Sequence, residues 1–93
     1  MSGQKAFQAI VKGRVQGVNF RYYTKLKADE LGIKGEVKNL PDGSVYVRAE
    51  ADEEILKEFQ TFISNGPKLA RVDDISFTYY SDFKYDLSFK ITY

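Results

Sequence analysis

Residues 6–31, AFQAIVKGRVQGVNFRYYTKLKADEL, change their hydrophobic period partway along. Over residues 6–15 the period is two: Phe7, Ala9, Val11, Gly13 and Val15 share one face, opposite Gln8, Lys12 and Arg14. That alternation predicts a half-buried strand, with Ile10 the one apolar side chain on its polar face. Residues 16–19 form a glycine-bearing loop. Over residues 20–31 the spacing turns helical, with Phe20, Thr24, Ala28 and Leu31 on one side, and Gly32 stops the run. Tyr22 and Tyr23 widen the apolar surface of that helix. A strand feeding a helix through a short loop is the first half of a crossover connection.

The flanking sequence completes the pattern. Residues 33–39 read as a second strand and residues 44–50 as a third, which turns Val45, Val47 and Ala49 inward. Between them Leu40-Pro41-Asp42-Gly43 is turn chemistry, because proline presets its own dihedral and glycine admits positive φ. Asp52 is placed to cap a second helix, with Glu53 and Glu54 at the positive end of its dipole. Ile55, Leu56, Phe59, Phe62 and Ile63 form its apolar stripe, and Asn65-Gly66-Pro67 closes it. Residues 72–80 alternate again through Ile75, Phe77 and Tyr79. Leu87, Phe89, Ile91 and Tyr93 predict a short fifth strand. The order is βαββαβ plus that strand, so two helices must cover one face of a mostly antiparallel sheet. This is an α+β chain with a ferredoxin-like α/β sandwich. Residues 1–93 are expected to form a single domain, with residues 1–5 flexible.

Composition narrows the chemistry. The chain has 93 residues, no cysteine and no histidine, which removes disulfides, thiolate sites and imidazole catalysis, along with the usual zinc ligands. No apolar run approaches the ~20 residues of a membrane span, and a cytoplasmic monomer without a membrane partner is expected. The formal charge of +1 gives no general pull toward nucleic acid. The abundant Tyr and Phe fall mostly at inward periods, and the strand signature of RNA-stacking sheets is missing. No nucleic-acid partner is expected. Anion binding, where it occurs, has to be local.

One stretch supplies a local site. In residues 13–21, backbone N–H groups around Gly17 can converge on an anion, and the following helix N-terminus adds partial positive charge. Arg21 then offers a planar fork to two phosphate oxygens. The amides of Val15, Gln16, Gly17, Val18, Asn19 and Phe20 would surround the phosphoryl group. A strand–helix–strand crossover makes the first two strands parallel, so their C-terminal ends share one edge of the sheet. If the third strand lies between them, Asn39 ends about 10 Å from the loop. Its amide could orient a water, although asparagine is also common where a hairpin turn begins. Acyl phosphates suit a site with neither imidazole nor thiol, since their leaving carboxylate needs no general acid. Phosphoryl transfer then rests on positioning and on stabilising charge spread over oxygens. The same cradle would also serve a regulatory module that binds phosphate or an acyl phosphate without turning it over.

With these residues in hand, the chain resembles the acylphosphatase family. Gly13-Arg-Val-Gln-Gly-Val-Asn-Phe-Arg21 is similar to its phosphate-loop signature, and Gly35-x-Val37-x-Asn39-x-x-Asp42-Gly43 to its second signature. Gly66-Pro67 followed by Ala70-x-Val72 is also similar. The resemblance implies hydrolysis of acyl phosphates to a carboxylate and inorganic phosphate without a cofactor. It gives the substrate-binding role to Arg21 and the water-orienting role to Asn39. Inorganic phosphate is then both product and competitive inhibitor. Two positions depart from the family pattern: Asn19 stands where glycine is usual, and Glu36 where many members carry a large aromatic residue. Asparagine tolerates positive φ better than most residues, and Glu36 would weaken anion binding if it faced the site.

Overall fold

The computed structural model describes residues 3–85 and 88–93. The elements run β1 (Gln4–Arg14), α1 (Phe20–Leu31), β2 (Lys34–Asn39), β3 (Val45–Asp52), α2 (Glu53–Asn65), β4 (Arg71–Tyr80) and β5 (Phe89–Ile91). They form a five-stranded sheet in the order β4-β1-β3-β2-β5. All pairings are antiparallel except β2 with β5, which is parallel. β1 starts at Gln4, which pairs with Asp52, so Gln4 and Lys5 belong to the sheet and not to a flexible leader. Leu87, assigned above to the fifth strand, lies outside the described residues.

Each helix ends for a local reason. Gly32 takes φ 71° and its N–H bonds back to the carbonyls of Ala28 and Asp29, while the Ile33 N–H reaches the Ala28 carbonyl at 2.9 Å. This left-handed cap satisfies carbonyls the helix leaves open. Asp52 occupies the N-cap position of α2, yet its side chain caps nothing. Its Oδ1 accepts from Gln4 Nε2 at 3.3 Å, and the Glu53 N–H is taken by the Gly3 carbonyl at 3.0 Å. The strand pairing has displaced the cap.

Both helices cover the face carrying Phe7, Ala9, Val11, Val37, Val45, Val47 and Ala49. Leu56, Phe59 and Ile63 descend from α2 and Phe20 and Ala28 from α1 onto that face. Phe59 stands between Phe7 and Phe89, with ring centroids 6.3 and 5.7 Å away. Each such side chain contributes about 1.5–3 kcal/mol by leaving water.

The opposite face is crossed by residues 81–85. There Arg48 and Glu50 are only 2% and 3% exposed. The Glu50 carboxylate accepts the N–H groups of Lys84 at 2.8 Å and Tyr85 at 3.1 Å. Arg48 Nη2 donates to the Asp82 carbonyl at 3.0 Å, and its guanidinium lies 4.5 Å from the Tyr80 ring centroid. Backbone groups and the 3.4 Å contact between Arg48 Nη2 and Glu50 offset the burial of the two charges, while Arg48 Nε is left without a hydrogen-bond partner among the described residues.

Candidate active site

β3 does lie between β1 and β2, which brings the loop after β1 and the end of β2 to one edge. The loop is built on two left-handed residues. Gly17 has φ 74°, and Asn19 has φ 63° and ψ 24°, making it the one non-glycine residue with positive φ among those described. Asn19 is also the N-cap of α1, and its carbonyl accepts the Tyr23 N–H at 3.1 Å. A residue here must turn the chain sharply from strand into helix. Asparagine meets that demand at lower cost than any Cβ-branched residue.

Val15, Val18 and Phe20 are buried and hold the loop down on the core. Gly17 and Asn19 face outward between them. Among the described residues, the N–H groups of residues 16–20 find no protein acceptor. The loop therefore presents open donors at a helix N-terminus, where an anion is favoured.

A pocket of about 210 Å³ opens over this loop. It is lined by Val15, Gly17, Asn19, Phe20, Arg21, Tyr22, Asn39, Ile91 and Tyr93. Arg21 is the sole charged side chain in that lining, and among the described residues it has no carboxylate partner. Its guanidinium lies 5.1 Å from the Tyr93 ring centroid. The ring is otherwise open to solvent, so that contact is worth about 0.5–1 kcal/mol. Asn39 shares the inward face of β2 with Gly35 and Val37, and its Oδ1 is buried without a hydrogen-bond partner. A buried carbonyl oxygen left unpaired is costly, and here it borders a polar pocket that water or substrate can fill.

The loop residues divide. Val15, Gly17, Asn19 and Phe20 line the pocket, whereas Val18 turns into the core and the Gln16 side chain turns toward the hairpin. Tyr22, Ile91 and Tyr93 were not among the residues expected here. Tyr22 is the residue after Arg21, so helical geometry already set it beside the mouth. Ile91 and Tyr93 arrive because β5 pairs in parallel with β2, matching Gly35 to Phe89 and Val37 to Ile91. Carrying that register forward puts Tyr93 level with Asn39. The alternation of Phe89, Ile91 and Tyr93 was visible in the sequence, but not the strand they would join.

Glu36 lies outside the pocket lining. Strand alternation sends it to the opposite face, where its carboxylate accepts from the Tyr85 hydroxyl and from Thr92 Oγ1, the latter at 3.0 Å. Its charge is thereby spent on the chain on either side of β5, away from the anion site. Among the described residues no group of three or more acidic, Cys or His side chains could hold a metal ion. No described helix is long and apolar enough to cross a membrane.

A family model described as Acylphosphatase matches residues 7–91. An acylphosphatase of Archaeoglobus fulgidus is 54% identical over 67 residues, covering 72% of this chain and 75% of its own. One from Thermotoga maritima is 47% identical over 72 residues, covering 77% of this chain and 80% of its own. Among solved structures, the acylphosphatase of Bacillus subtilis superposes with a TM-score of 0.92 at 39% identity, over 96% of this chain and 99% of that one.

Proposed function

The chain belongs to the acylphosphatase family, and on that premise we propose that it hydrolyses the carboxyl–phosphate bond of acyl phosphates. The observation that supports the site most directly is the shared pocket, lined both by Arg21, which has no carboxylate partner among the described residues, and by Asn39, whose buried Oδ1 is unpaired. The guanidinium grips two phosphoryl oxygens in its fork, and the N–H groups of the loop hold the others. Asn39 Oδ1 accepts one hydrogen bond from a water and aims its oxygen at phosphorus. As the water oxygen bonds to phosphorus, the bond from phosphorus to the acyl oxygen breaks and its electron pair leaves with the carboxylate. A neutral amide is too weak a base for the water's proton, which passes to a phosphoryl oxygen of the substrate. Because charge is spread over those oxygens throughout, fixed donors lower the barrier without reorganising.

Inorganic phosphate fits the same cradle and competes with substrate. The enzyme needs no cofactor in this scheme. We also take it to be monomeric, and cytoplasmic in keeping with a composition free of cysteine.

The deciding experiment is hydrolysis of a simple aryl acyl phosphate by the wild type, Arg21→Ala and Asn39→Ala, each shown to be folded. Turnover is expected in the wild type alone, with Asn39→Ala still binding phosphate. A wild type that binds phosphate without turnover would instead be a regulatory module, and the catalytic assignment would fall.

A further inference from the structure

Gln16 contributes more than a backbone amide. Its Nε2 donates to the carbonyl of Leu40 and to the carbonyl of Ser44, both at 2.8 Å. Those two residues form the neck of the β2–β3 hairpin, where the Leu40 N–H also bonds the Ser44 carbonyl at 2.8 Å. Just inside the neck, Asn39 pairs with Val45. The amide of Gln16 therefore spans both strands of the hairpin one residue beyond Asn39. An NH₂ group has two hydrogens, and both are used.

We infer that Gln16 is a positioning residue, setting the distance between the anion-binding loop and Asn39; this rests on the roles given above to Arg21 and Asn39. The loop and the hairpin are separate pieces of chain, with α1 and all of β2 between them. Gln16 ties them directly, by two side-chain bonds in the plane of one rigid amide. Arg21 and the loop amides hold phosphorus, and Asn39 holds the attacking water. The side chain of Gln16 connects the two segments that carry those tasks without lining the pocket. Removing its donors frees the hairpin neck to drift relative to the loop. Phosphate binding, confined to the loop and Arg21, is left intact, while the alignment of water with phosphorus is lost.

Two variants separate this role from simple packing. Gln16→Met keeps the length and loses both donors. Gln16→Glu keeps the shape and, when ionised, turns two lone-pair-bearing oxygens on the carbonyls. At neutral pH both are expected to lower kcat by about ten- to a hundredfold, the effect of a misplacement approaching an ångström. In Gln16→Met, which adds no charge to the loop, the phosphate inhibition constant is expected to stay within about threefold of wild type, since the loop donors and Arg21 are untouched. On acidification the carboxyl of Gln16→Glu, held above its ordinary range by the facing carbonyls, takes up a proton. It then donates to one carbonyl, and kcat climbs toward wild type as pH falls. Neither wild type nor Gln16→Met should show that acid limb, with spontaneous hydrolysis subtracted at every pH.

The inference is overturned by a kcat of wild-type size in Gln16→Met, or by a Gln16→Glu profile without acid recovery. A phosphate inhibition constant that rises in step with the loss of kcat in Gln16→Met would also overturn it, because Gln16 would then be shaping the cradle. Should Gln16→Met not fold, Gln16→Glu still decides, as its two protonation states share one covalent structure. Undiminished turnover in Asn39→Ala would strike the underlying site assignment instead, whatever the Gln16 variants do.

Discussion

Asn19 and Arg21 stand two residues apart at the mouth of α1. Asn19 holds φ 63° at the mouth of α1, a conformation that costs an ordinary L-residue about 1–2 kcal/mol. Its departure from the family's glycine is therefore absorbed by the backbone, with no side-chain cap to replace. Arg21 follows two residues later, at the second position of the helix. Its guanidinium is planar and rests against Tyr93, so its orientation is partly preset before any anion arrives. Arg21→Lys keeps the charge and loses the fork. The phosphate inhibition constant of that variant is expected to rise about tenfold to a hundredfold, the worth of one charge-assisted hydrogen bond at ~1.5–3 kcal/mol. Inhibition assays against an aryl acyl phosphate measure it directly, and unchanged inhibition would mean that Arg21 acts only as a point charge. That Arg21 would stand at the loop was legible from its neighbours in sequence, since a glycine loop opening a helix puts the first helical residues at its mouth. The Gln16 side chain was not, because its partners are carbonyls of residues 40 and 44.

At the scale of elements, β5 is held in place from the face opposite the helices. Glu36 on β2 accepts from Tyr85 and from Thr92, so one carboxylate grips the chain on both sides of the short strand. Glu50 adds two backbone N–H bonds to the same crossing segment. Burial, and then the bond to the Glu36 carboxylate, push the phenol of Tyr85 well above the ordinary tyrosine value of 10.0. The folded chain keeps a proton there that the unfolded chain releases. This contribution is complete below the unfolded value and declines as pH rises beyond it. Tyr85→Phe should be less stable than wild type at neutral pH, and the gap should narrow as pH climbs above about 10. Urea midpoints of the two proteins across the alkaline range test it; a gap that stays constant would show that the phenol titrates alike in both states. The hairpin of β2 and β3 and the stripe of α2 were legible from pattern. The loss of the Asp52 cap was not, because Gly3 and Gln4 reached α2 only through the pairing of β1 with β3.

For the whole molecule, Phe89 joins core and site. It is 1% exposed, packs 5.7 Å from Phe59, and lies two and four residues before Ile91 and Tyr93 on the pocket wall. Phe89→Ala is expected to cost about 3–5 kcal/mol and to lower activity with it, because the strand loses its anchor in the core. Chemical denaturation gives the first quantity and acyl phosphate turnover the second; a cost below ~1 kcal/mol would mean that β5 is not held by this ring. β5 is also one edge of the sheet, and at three residues it offers a short template for pairing. Local periodicity determined the elements, because burial on one face leaves a period of two or 3.6 in the chain itself. The resemblance marked Arg21 and Asn39, and a crossover that leaves β1 and β2 parallel brings the C-terminal ends of both strands to one edge. Only the tertiary structure decided that β5 would pair in parallel with β2, that Tyr93 would meet Arg21, and that Gln16 would bridge to the hairpin. Those contacts join residues far apart in sequence, and no period or spacing along a chain records which distant carbonyl or strand a side chain will find.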